Sequence, residues 1–255
     1  MAVLKKLLKY FLVLLLWVGV WAATAHFVAN EWILPSIPTV IKSLAEMATS
    51  PESDFWSSIL FSLIRVVIGL SAATLLAVIM AALAFRFSIV HDILKPPVAI
   101  IKATPVVSFI FIAFIIFSKN MEAFPPFIAG LIVFPVVYES LYAALKKTPK
   151  ELIEVSEVFG CTWLERLRYL WIPCSLPDFI TSTKTSIGLA WKSGIAAEAL
   201  FAIPNMTGIG QGLFDAKSLL YVDRQFAWTL VIILLSLTVE LIFSFAAKKL
   251  TDRIL

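Results

Sequence analysis

The sequence predicts an all-α integral membrane protein of six transmembrane helices, and three observations carry that expectation. Hydrophobic residues make up 60% of the 255 residues and charged residues only 15%, far from ordinary globular usage. Apolar runs long enough to cross about 30 Å of hydrocarbon recur along the chain. Basic residues collect in alternate connecting segments, the bias that marks cytoplasmic loops. The spans fall near residues 9–29, 62–85, 99–118, 126–145, 179–203 and 226–247. They leave no length for a soluble domain, so residues 1–255 read as one transmembrane domain.

Taken in order, the first span follows Lys5, Lys6 and Lys9 and ends near Ala23-Thr24-Ala25, which imitates a signal peptide. Its apolar stretch exceeds the usual h-region, so a retained first helix is expected. The second span has an apolar extension at its start and is longer than one crossing needs. Pro105 is expected to kink the third helix near its cytoplasmic end. The runs Phe109–Phe117 and Leu230–Phe245 read as lipid-facing or packing surface. With the N-terminus cytoplasmic, the inside segments hold Lys5, Lys6, Lys9, Arg86, Lys95, Lys146, Lys147, Lys150, Arg166, Arg168, Lys248, Lys249 and Arg253. The outside segments hold Lys42, Lys119, Lys217 and Arg224. Both termini and the 148–177 loop are then cytoplasmic. The net charge of +4 follows from this bias and calls for no nucleic acid.

The loop is the most informative polar stretch. Thr148 and Glu151 have capping-box spacing with Pro149 at the first helical position. Gly160 suits the left-handed conformation that ends a helix. Thr162 and Glu165 repeat the box for a second helix, which Pro173 and Pro177 are expected to stop or kink. A folded helix–Gly–helix unit between spans four and five suggests contact with something soluble. Cys161 and Cys174 lie in the same loop, their spacing fits no zinc pattern, and His26 and His91 do not join them. The sequence contains no phosphate-binding or dinucleotide glycine pattern and no nucleophile elbow. Metal, nucleotide and catalytic sites in this chain are not expected.

Glu154-Val155-Ser156, Gly160, Pro173 and Leu176-Pro177 resemble the EAA motif of permease subunits of binding-protein-dependent ABC importers. Val155 and Ser156 depart from its small alanines, and Val155 is the bulkier change. Leu34-Pro35-Ser36-Ile37-Pro38, followed by Val40, Ile41, Leu44 and Met47 at helical spacing, is similar to the outer segment of nitrate/sulfonate/taurine-type permeases. Ser62-Leu63-Ile64-Arg65-Val66 with Gly69, then Trp191, Ala197-Glu198 and Gly208-Ile209-Gly210, extend the likeness over nearly the whole chain.

That resemblance implies a bacterial inner-membrane permease, as a homodimer, working with cytoplasmic ABC ATPase subunits and an extracytoplasmic substrate-binding protein. ATP and Mg would be bound by the partner ATPase, and this chain would be non-catalytic. The ATPase-coupling residues would be Glu154, Ser156, Glu157, Val158, Phe159, Gly160, Trp163, Leu164, Pro173 and Pro177. Glu154 would pair with a basic group of the ATPase, and the apolar residues would anchor the contact. The competing reading makes Glu151, Glu154 and Glu157 a solvated acidic face.

Ionisable residues inside a bilayer usually face a cavity or a partner. Lys184, Gly188 and Lys192 recur every four residues and share one helix face. One reading has Trp191 and Lys192 border the translocation pathway, with Lys184, Gly188 and Glu198 belonging to it, and favour an anionic or polar solute. The other has Lys192 pair structurally with a carboxylate, either Glu198 of a second subunit or one on a neighbouring span. Arg65, Lys102 and Glu240 read as snorkelling residues near the interfaces. The expected solute is a nitrate/sulfonate/taurine-like anion; a pyrimidine or thiamine precursor is the alternative within the same family. A secondary transporter driven by an ion gradient is the alternative outside it, although no internal repeat supports that reading.

Overall fold

The computed structural model describes residues 2–51, 53–201, 203 and 206–254, and all regular structure among them is helical. Helix α1 covers Ala2–Val28, α2 Ile37–Thr49, α3 Phe55–Arg86, α4 Ser88–Ala103, α5 Val106–Ile116 and α6 Phe124–Lys146. Helices α7 (Lys150–Val158) and α8 (Trp163–Arg166) form the loop, α9 is Ile172–Leu200, α10 is Ile209–Ser218 and α11 is Val222–Ile254. Among the described residues, α1, α3, α6 with its preceding turn, and α11 are long and apolar enough to cross a membrane.

Helix α6 is the centre of the bundle. Half of its apolar stretch is buried within the chain, against none of that of α1. Small residues explain how α3 packs along it: Gly69, Ala73, Ala77, Ala81 and Ala84 form a buried stripe. A Cβ on Gly69 would run into the Pro126 carbonyl, so the two backbones touch there. At 32 residues α3 rises about 48 Å, longer than one crossing needs, as its apolar extension suggested. Ser36 caps α2, and Val40 and Met47 turn inward while Ile41 stays exposed.

The expected third span, 99–118, is not one helix. Helices α4 and α5 meet at a bend of 108°. Thr104 has extended backbone, because a residue before proline is driven from the helical region, and Pro105 follows with ψ 134°. The result is a break where a kink was expected. With 11 residues, α5 rises only about 16 Å, roughly half the hydrocarbon thickness. Helix α4 is held to α6 by His91, stacked on Tyr142 and within 3.1 Å of the Tyr138 hydroxyl, and by the Lys102–Glu139 ion pair. Helix α9 is long enough to cross at 29 residues but carries Asp178, Lys184, Lys192 and Glu198.

Two details of the loop also differ from expectation. Pro149 itself is the N-cap of α7, which moves Thr148 one position outside the helix. Its hydroxyl is buried without a partner among the described residues, so the first capping box does not form. Pro173 and Pro177 do not end the second helix. A π turn at Leu167–Trp171 absorbs the irregularity, Pro173 sits in the first turn of α9, and the helix runs on through Pro177.

Candidate coupling loop and pathway face

Helices α7 and α8 form a rigid hairpin. Gly160 takes φ +67°, its N–H donates to Glu157 O at 2.9 Å, and Cys161 N–H donates to Ser156 O at 2.9 Å. This pair of bonds is the Schellman arrangement, which satisfies the last carbonyls of α7. The second capping box forms as expected: Thr162 N–H donates to Glu165 Oε2 at 2.7 Å, and Thr162 Oγ1 accepts from Glu165 N–H at 3.4 Å. The Thr162 backbone N–H, helped by its hydroxyl, holds the Glu165 carboxyl below its ordinary value. Arg166 ties the helices together, pairing with Glu157 at 2.8 Å and donating to Cys161 O at 3.1 Å.

The tip of this hairpin is apolar and uncovered. Val158 is 86% exposed, Phe159 79%, Leu164 70% and Trp163 47%. Glu154 is exposed on α7 with no ion pair among the described residues, whereas Glu157 is already engaged by Arg166. Val155 points outward, so its extra bulk leaves the packing undisturbed. Ser156 donates to Ile153 O at 2.6 Å and is internal to α7.

The fifth-span residues separate into two sets. Lys184 and Lys192 are exposed and Gly188 is half-buried between them, with open space where a Cβ would stand. Lys184 meets Glu240 of α11 at 3.5 Å, and Lys192 has no ion pair among the described residues. Trp191 and Glu198 are not on that face. The Trp191 ring is buried and its Nε1 donates to Ile232 O at 3.1 Å.

Glu198 belongs to a buried ion-pair network. Its carboxylate accepts from Ser62 Oγ at 2.5 Å, from Arg65 Nη1 at 3.2 Å and from Gly210 N–H at 3.2 Å. Arg65 is also buried. It forks onto Glu122 with Nε and Nη2 at 2.9 and 3.0 Å and donates to Thr207 O at 2.7 Å. Arg65 therefore does not snorkel; two carboxylates and a carbonyl replace its water. The Gly208-Ile209-Gly210 run lets α10 approach this network. A Cβ on Gly208 would lie 2.7 Å from Glu198 Oε2, and one on Gly210 would overlap Glu198 itself. Arg65, Ser62 and Glu122 were missed as a unit in the sequence. An arginine inside an apolar run was the available signal, since its charge requires a counter-ion.

The chain is thus a multi-helix membrane subunit with an uncovered apolar hairpin and a basic helix face that Glu240 only partly offsets. The match to known proteins makes this specific. Residues 73–255 match the family of binding-protein-dependent transport system inner membrane components. The chain belongs to that family and is a multi-pass permease of the bacterial inner membrane, of the ABC importer class. It is 23% identical to the taurine transport system permease protein TauC of Escherichia coli K12, over 91% of this chain and 84% of that protein. It is 24% identical to the formylaminopyrimidine transport permease protein ThiX of Halalkalibacterium halodurans, over 96% and 92%. A solved bacterial ABC transporter involved in alginate import shares the fold at TM-score 0.61 and 14% identity, covering 98% of this chain and all of that one. These relatives place it in the nitrate/sulfonate/taurine group of ABC permeases.

Proposed function

We propose that this chain forms, with a second copy of itself, the pathway of an ABC importer whose ATPase docks on the α7–α8 hairpin. The observation that carries the reading is the uncovered tip: Val158, Phe159, Trp163 and Leu164 present apolar surface on a frame already rigid through Gly160 and Arg166. Large apolar anchors on a rigid frame are what dominate interfaces. Glu154, which has no ion pair among the described residues, pairs with a basic group of the ATPase. ATP and Mg are bound by that ATPase, and this chain performs no chemistry. The basic-residue bias puts both termini and the hairpin on the cytoplasmic side of a six-span subunit. A substrate-binding protein delivers the solute to the opposite face.

The Lys184–Gly188–Lys192 face supports a small anionic solute, because Glu240 offsets only one of the two charges. Aqueous lining, or cover by the second copy, removes the cost of a bare lysine at that depth. The near full-length likeness to a formylaminopyrimidine permease supports a second reading, in which the same frame carries a pyrimidine precursor.

The test is co-purification. The chain, tagged alone, is expressed with the neighbouring genes and compared with Glu154→Arg and Gly160→Val. An ATPase captured by the wild type and lost from both variants is the expected result. Its absence from the wild type after gentle cross-linking refutes the docking reading.

A further inference from the structure

We propose that the π turn at Leu167–Trp171 is a register joint through which movement of the docked hairpin reaches α9 and the pathway face. The inference rests on the docking reading above and concerns how its motion is transmitted. Three independent observations meet at this point of the fold.

The first is the hydrogen-bond register. Ile172 N–H donates to Leu167 O, five residues back, where an α-helix would bond four back. Pro173 has no N–H, so the α-type bond to Tyr169 O is missing in either register. Ser175 Oγ back-bonds within the first turn of α9, to Trp171 O at 2.7 Å and Ile172 O at 3.2 Å, a contact that tends to bend a helix. Pro173 thus leaves a gap in the hydrogen-bond ladder at the point where the register changes.

The second is space. An open apolar groove of about 370 Å³ lies beside the turn, lined by Leu167, Ile172 and Leu176 together with Val78, Leu141 and Leu145. The side chains carried round by a register change have somewhere to go.

The third is incomplete satisfaction. Trp171 is buried between Phe85 and Trp163, yet among the described residues its Nε1 has no partner. The same is true of the Thr148 hydroxyl at the base of the hairpin and of the Thr74, Thr183 and Ser186 hydroxyls elsewhere. Buried donors without acceptors carry a desolvation cost that a second arrangement relieves. A second arrangement that supplies them is what a joint requires. Moving the extra residue out of the turn rotates α8 against α9 by about 100° and shifts it about 1.5 Å along the axis. The loop and the pathway helix then change their relation without unfolding of either.

The test uses the full transporter in proteoliposomes and Val78→Phe, which fills the groove and leaves the hairpin untouched. The expected result is unchanged ATPase capture with uptake reduced at least tenfold. In parallel, amide exchange over Leu167–Ile172 in the wild type is expected to differ at least tenfold between the nucleotide-free and ATP-trapped states. Normal uptake by Val78→Phe with the ATPase captured overturns the joint and leaves the docking reading standing. A wild type that captures no ATPase removes both. If Val78→Phe does not assemble, the exchange measurement decides: equal protection in the two states overturns the proposal.

Discussion

Arg65 and its two carboxylates offer a prediction whose sign and ranking follow from burial. Replacing Arg65 with Met leaves Glu198, whose side chain is 0% exposed, without a counter-charge, keeping only Ser62 and the Gly210 N–H as partners. Breaking a buried pair from one side costs about 3–5 kcal/mol. Glu198→Gln is milder, because Arg65 keeps its two-point contact with Glu122; an imperfectly satisfied buried amide costs about 1–3 kcal/mol. Glu122→Gln removes a carboxylate that is 66% exposed, an interaction worth about 0.2–1 kcal/mol. Thermal unfolding of the three variants in one detergent, followed by tryptophan fluorescence, should rank them Arg65→Met, Glu198→Gln, Glu122→Gln from most to least destabilised. Combining Arg65→Met with Glu198→Met should recover much of the loss, since a matched apolar pair leaves no orphan charge. If Glu122→Gln proves as damaging as Arg65→Met, the network is not organised around Glu198 and the argument fails.

Gly69→Ala forces a methyl group against the Pro126 backbone, which cannot give way as a flexible side chain would. It should destabilise by about 1–3 kcal/mol in the same unfolding assay. The Glu165 carboxyl is held below its ordinary 4.5, so its contribution to the α8 cap is present above that value. It is lost as pH falls through the lowered folded-state value; protection of the Thr162 amide should drop in acid, and Glu165→Gln should flatten that profile. Lys192→Ala should impair uptake of an anionic solute with the ATPase still bound, read by transport beside capture; failed assembly would instead make Lys192 a structural residue.

How much of this was legible in the sequence depends on the range of the interaction. Apolarity marked α1, α3, α6 and α11, and local chemistry marked the Gly160 terminus and the Thr162–Glu165 box, because partners there lie within a few residues. The Thr148 box failed by one position, since Pro149 took the cap itself. The break before α5 was read as a kink although Thr104-Pro105 carries a local signal, since proline drives the residue before it out of the helical region; the 108° angle is what packing decides. Arg65 finds its carboxylates 57 and 133 residues away, beyond any periodicity, so its snorkelling reading had no local contradiction. Trp191 and Glu198 were placed toward the pathway because an intramembrane charge usually faces a cavity or a partner and Trp191 adjoins Lys192. Spacing fixes which residues share a face, and only packing decides that theirs is turned against α3, α10 and α11. The closeness of Gly208 and Gly210 to Glu198 gives a physical cause for a motif that the sequence showed only as a resemblance.

The central claim is that this chain moves solute under ATP hydrolysed by a protein docked on its hairpin. It is tested most directly by uptake in proteoliposomes holding this chain, its co-captured ATPase and the cognate binding protein, with all ion gradients collapsed. The account predicts uptake that requires ATP and the binding protein and is abolished by Gly160→Val. Uptake that ignores ATP and follows an imposed proton or sodium gradient would contradict it.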